Sequence, residues 1–118
     1  MKDFMLVFRD SSAVEDAFAN LSPKEMEAEM AHWDKWTVEL TQGGNHTGGH
    51  PLLPTGKVLR GTSKKLTDGP FVEGKDIIGG YVLIKANDYD HAVKLSLGCP
   101  ILRSETGSVE VREVMALG

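Results

Sequence analysis

The chain has one cysteine, Cys99, so no disulfide can close within it and stability has to come from a packed core. Long apolar runs are missing as well. Nothing approaches the ~18 consecutive apolar residues that a membrane-crossing helix needs. Positive charge is in short supply, with 13 Lys and Arg against 17 Asp and Glu and a net charge of −4. Such a chain lacks the basic footprint that nucleic acid or an anionic membrane would require, so neither is an expected partner. Gly56 and Gly61 are not followed by Lys-Ser/Thr, which excludes a phosphate loop. No nicotinamide or flavin motif occurs, and no cofactor is expected. The N-terminal MKDFMLVFRD reads as a strand rather than a signal peptide, so a cytoplasmic setting is the expectation.

What is present suits one globular domain over residues 1–118, with 41% hydrophobic and 25% charged residues. A chain of this length should bury roughly two-thirds of its unfolded surface. Residues 3–9 form the first predicted strand, carried by Phe4 to Phe8. Ser22-Pro23-Lys24-Glu25 then opens a helix with a capping Ser, a Pro at the first helical position and a Glu three residues after the cap. Met26, Met30, Trp33, Thr37 and Leu40 make its apolar stripe; Trp36 and Glu29 border it. On this reading Trp33 is plain packing, and Trp36 is either a core residue or a candidate pocket wall whose N–H finds a partner. Gly43 to Gly49 reads as a loop. Short strands follow at His50 to Leu53 and Lys57 to Arg60, and Lys65 to Thr67 leads into the turn Asp68-Gly69-Pro70.

The strongest strand is 77–86. Simple alternation points Ile78, Val82 and Ile84 one way and Ile77, Tyr81 and Leu83 the other. Gly79-Gly80 inside it calls for a bulge, a close helix or a ligand. Asn87-Asp88 cap a second helix with a stripe of Tyr89, Ala92, Val93 and Leu97, and the last strand runs from Ser108 to Met115. This order predicts an α+β fold, a ferredoxin-like βαββαβ plan with an extra hairpin and both helices on one sheet face. Because the strand 77–86 is apolar on both sides, the other face needs a cover. A homodimer with sheets packed face to face supplies one.

Asp68-Gly69-Pro70-Phe71, Glu73-x-Lys75-Asp76, Gly79-Gly80-Tyr81, Asp90-x-Ala92, Val109-Glu110-Val111-Arg112 and the pair Trp33-x-x-Trp36 resemble the YCII-related family, in particular its DGPF branch. The resemblance implies a dimeric α+β barrel. It also implies two contexts: enzymes that pair the Asp of this turn with a His, and proteins associated with alternative sigma factors.

Two readings of Asp68 are compatible. It can accept a hydrogen bond from a backbone N–H two residues on, or stand at a pocket mouth as a general base. The catalytic candidates are therefore Asp68 and His50. The ligand-binding candidates are Glu29, Trp36 and Phe71, with Arg60 and Arg112 to hold an anionic group. His46 and His50 lie four apart in a stretch read as non-helical, without flanking ligands, so no metal site is assigned. His32 and His91 are placed at the surface. The expected function is a small-molecule enzyme using Asp68 for acid/base chemistry in a cleft between sheet and helices. The alternative is a non-catalytic ligand-binding or regulatory module.

Overall fold

A computed structural model describes residues 1–117. Strand β1 (Lys2–Ser11) leads into helix α1 (Ser12–Ala19), then α2 (Pro23–Gln42) and β2 (His46–Pro51). A hairpin of β3 (Lys57–Arg60) and β4 (Lys65–Asp68) follows, then β5 (Asp76–Ala86), α3 (Tyr89–Ser96), a 3-10 turn (Pro100–Arg103) and β6 (Ser108–Glu113). The main sheet has the order β2-β5-β1-β6 and is antiparallel throughout; β3 and β4 pair only with each other. This is the ferredoxin-like order with a hairpin inserted between β2 and β5, as the sequence predicts.

The core follows the two-residue period of the strands. Phe4, Leu6 and Phe8 of β1 and Val82, Ile84 and Ala86 of β5 all turn to the helix side and are buried there. Trp36 and Leu40 of α2, Ala92 of α3 and Cys99 close over them. Fully burying a side chain such as Leu6 or Ile84 is worth about 1.5–3 kcal/mol. The opposite face carries Met5, Val7 and Arg9 beside Tyr81, Leu83 and Lys85, and no helix among the described residues covers it.

α2 begins as expected. The Glu25 N–H donates to Ser22 Oγ at 3.2 Å, and the Ser22 N–H donates back to Glu25 Oε1 at 3.0 Å. With Pro23 beside the cap, the first turn is fixed before any packing occurs.

Four local expectations change. A further helix, α1, precedes α2, so three helices rather than two cover the sheet face. Ser11 caps it, accepting from the Val14 N–H at 3.2 Å. The stretch from His46 to Gly49 is strand, not loop, because its backbone finds partners along β5. Gly49 is needed there: its φ is +153°, and a β-carbon would sit 2.5 Å from the Tyr81 carbonyl oxygen.

The third change lies in β5. Phe8 pairs with Gly80 but Arg9 pairs with Ile78, so Gly79 is a bulge. The extra residue reverses the phase, which buries Ile77 and exposes Ile78, the opposite of simple alternation. The fourth concerns α2. It rests on the sheet through Trp36, which is 3% exposed and donates from Nε1 to the Leu95 carbonyl at 3.0 Å. Trp33 is only part-buried. The neighbours of a helix decide which part of its stripe is deepest, and here α3 draws Trp36 inward.

Candidate active site

A cleft of about 560 Å³ opens between the helix side of the sheet, α1, α2 and the 3-10 turn. Phe8, Gly80 and Val82 form its floor. Val14 and Phe18 of α1, Met30 and Trp33 of α2, and Ile101 form its apolar walls. The Trp33 ring lies 5.2 Å from that of Phe8 and 6.1 Å from that of Trp36, so the wall is backed by packed aromatics.

Of the four acidic residues that line this cavity, two are buried. Asp10 ends the alternating series Phe4, Leu6, Phe8 and is fully buried. Its Oδ1 accepts from the Ser11 N–H at 2.7 Å and from the Thr106 hydroxyl at 2.5 Å. Its Oδ2 has no hydrogen-bond partner among the described residues. Glu15, from the first turn of α1, is also buried, and its carboxyl lies against Gly79 where a β-carbon would otherwise sit. Burial, and secondarily the charge of Asp10, push the Glu15 carboxyl above the usual carboxylate range. The site therefore combines a buried carboxyl oxygen that has no partner with a second carboxyl group biased toward keeping its proton. That division of roles is what acid/base chemistry needs.

Further polar groups surround them. His46 pairs with Ile84 on the helix side of β2 and lines the cleft. Glu29 and Asp34 border it from α2, and Ser104 from the far side. Among the described residues that line the cleft, Arg103 is the only Arg or Lys, and Glu29 already holds it at 3.4 Å.

The sequence candidates are dispersed. Glu29 is at the cleft. His50 contributes to its wall, but it pairs with Tyr81, and their ring centroids lie 6.0 Å apart. Because Gly80 and Val82 face the helices, the His50 and Tyr81 rings belong to the open face. Trp36 lies beneath the cleft wall rather than in it.

Asp68 is outside the cleft, at the end of β4, with a side chain 86% exposed and paired to Lys57 Nζ at 2.7 Å. The backbone hydrogen bond expected for it does not form, because the residue two positions on is Pro70 and has no N–H. The turn is held instead by the Gly69 N–H donating to the Gly56 carbonyl at 2.7 Å. Arg60 and Phe71 are near Asp68 in the chain but stack on each other, the guanidinium carbon 4.9 Å from the ring centroid. Arg112 is on β6, beside Glu110 at 3.5 Å, and Glu110 also binds Arg9. The hydrogen bond from Arg9, more than the nearby charges, holds the Glu110 carboxyl below its ordinary range.

Asp10 and Glu15 escaped the sequence reading, although signals for them existed. Extending the Phe4-Leu6-Phe8 alternation by one step puts Asp10 on the core side. Ser11-Ser12 followed by Val14 and Phe18, four apart, marks a short helix opened by a capping Ser. Buried Cys99 is no rival nucleophile, since burial pushes its thiol up to about 12. Among the described residues, no group of three or more His, Cys, Asp or Glu is placed to hold a metal ion, and no helix is long and apolar enough to cross a membrane.

The four-stranded antiparallel sheet, with helices on one side and a cleft between the layers, defines a ferredoxin-like α+β protein with a ligand-sized cavity. The chain belongs to the YCII-related family, whose domain matches residues 4–117. Among solved structures it is similar to a 5-chloro-2-hydroxyhydroquinone dehydrochlorinase from Burkholderia phenoliruptrix in complex with 2,5-dihydroxybenzoquinone. That likeness has a TM-score of 0.45 at 13% identity and covers 95% of this chain and 93% of the other. Comparison with curated proteins returned no significant match.

Proposed function

We propose that this protein is a small-molecule enzyme whose cleft performs a proton-transfer step, with Asp10 as base and Glu15 as acid. The observation that carries this reading is the free Oδ2 of a fully buried Asp10 at the cavity. An unsatisfied buried carboxylate oxygen costs several kcal/mol on the order of a lost charged hydrogen bond. A fold tolerates that cost where a ligand supplies the missing donor. Asp10 takes a proton from the bound molecule, Glu15 returns one, and the aromatic wall of Trp33 and Phe8 positions the apolar part and excludes water. Asp68 on its exposed hairpin is not required by this chemistry.

The working unit is a homodimer joined through the open sheet face. Met5, Val7, Ile78, Tyr81 and Leu83 lie there without a helix to cover them. The chain also exposes 8116 Å², against about 6300 Å² for a compact monomer of its mass. Its radius of gyration is 15.5 Å, against about 13.5 Å for a compact domain of this length.

A thermal-shift screen of small metabolites on wild type and Asp10→Asn tests the catalytic reading. Asn keeps an oxygen for the Ser11 and Thr106 bonds, so the fold should survive. Compounds that use Asp10 raise the melting temperature of wild type and not of the variant. Equal shifts in both proteins, or none in either, would count against the site.

A further inference from the structure

We infer that the cleft selects an ammonium ligand with an apolar body, its N–H donating to Asp10 Oδ2. This deepens the reading of the cleft as a ligand site and rests on it. Four acidic residues line the cavity: Asp10, Glu15, Glu29 and Asp34. Against them stand one guanidinium, Arg103, already engaged by Glu29, and the imidazole of His46. The arginines that the sequence offered for an anion, Arg60 and Arg112, are elsewhere on the molecule. An anionic ligand would therefore meet a buried carboxylate with no free Arg or Lys to offset the repulsion.

A second observation is independent of this charge count. Asp10 is 0% exposed, lines the cavity and leaves Oδ2 without a donor. A carboxylate oxygen can only accept, so its partner has to bring a hydrogen. A charged N–H donor makes a shorter and stronger bond to it than a neutral one. Trp33, Phe8 and Phe18 around the cavity suit an apolar body, and aromatic rings add attraction for a cation.

The test uses three probes of one shape and three charges: benzylamine, benzyl alcohol and benzoate. Each is titrated into the full chain while the backbone amide resonances of Gly79, Gly80 and Trp33 are followed. Benzylamine is expected to bind at least about tenfold more tightly than benzyl alcohol, as one charged hydrogen bond gained would give. Benzoate should leave these resonances unmoved. In Asp10→Asn the preference for benzylamine should vanish, and in Glu15→Gln, which keeps Asp10 and its Thr106 bond, it should shrink.

If benzyl alcohol or benzoate binds the cleft as well as benzylamine, ammonium selection is overturned while the cleft remains a ligand site. A preference unchanged in Asp10→Asn overturns it too. If none of the three probes moves the cleft resonances, the ligand-site reading falls and this inference with it.

Discussion

The carboxyl group of Glu15 occupies the space that a β-carbon on Gly79 would take. A bulge in one strand thus seats an acid from a helix more than sixty positions earlier in the chain. The acid is the far end of a flexible side chain, so Gly79→Ala should displace it rather than break the fold. The variant is expected to stay within about 1 kcal/mol of wild type, because Ala also reduces the freedom of the unfolded chain. Denaturant melts check this. A loss of several kcal/mol would mean that the bulge itself cannot take a side chain.

The same seat sets a pH dependence. The folded Glu15 carboxyl binds its proton more tightly than the ordinary value of 4.5, so the unfolded chain gives up that proton first as pH rises. Stability attributable to Glu15 is therefore complete below about pH 4.5 and declines as pH rises through its folded value. Glu25, held down mainly by the Ser22 backbone hydrogen bond, and Glu110, held down mainly by Arg9, act in the opposite sense and lose stability as pH falls. Replacing Glu15 by Gln should remove only the decline on the alkaline side. Melting curves from pH 4 to 8 test it: parallel curves for wild type and Glu15→Gln would refute the assignment.

Trp36 and Trp33 should respond differently to truncation. Trp36→Phe loses the bond to the Leu95 carbonyl and part of the core, a cost of about 2–4 kcal/mol. Trp33→Phe keeps an aromatic wall in a part-buried position and should cost under about 1.5 kcal/mol while weakening cleft ligands. Urea melts and a cleft titration on both variants would show the split. Equal stability losses would contradict it.

Asp68→Asn should cost less than about 1 kcal/mol. Its partner Lys57 is 67% exposed, and exposed ion pairs contribute little. An activity found for this protein should persist in Asp68→Asn and disappear in Asp10→Asn. The reverse pattern, seen in a turnover assay, would return the chemistry to the hairpin.

Leu83→Arg places a charge in the middle of the open sheet face without touching the cleft. Light scattering on the eluting protein should give twice the 12.9 kDa chain mass for wild type and the chain mass for the variant. A monomeric wild type would leave the open face to some other cover.

The elements legible in the sequence were those whose cause is local. α2 carries its cap, its Pro and its stripe within twenty residues, and β5 carries enough apolar residues to declare a strand on either phase. From these the antiparallel layer plan and the inserted hairpin follow. Tertiary structure decided the rest, because each remaining feature depends on residues far apart. A bulge is defined only by the partner strand, so the reversal of Ile77 and Ile78 could not be read from β5 alone. The depth of Trp36 depends on α3, and the turn of His50 away from the cleft depends on its pairing with Tyr81. Asp10 is a polar residue at a strand end until α1 and Thr106, ninety-six positions away, enclose it. Sequence by itself determined which segments could bury an apolar face. Only the folded chain, by removing water from one carboxyl group and leaving another exposed at the base of a hairpin, decided which acid stands ready for chemistry.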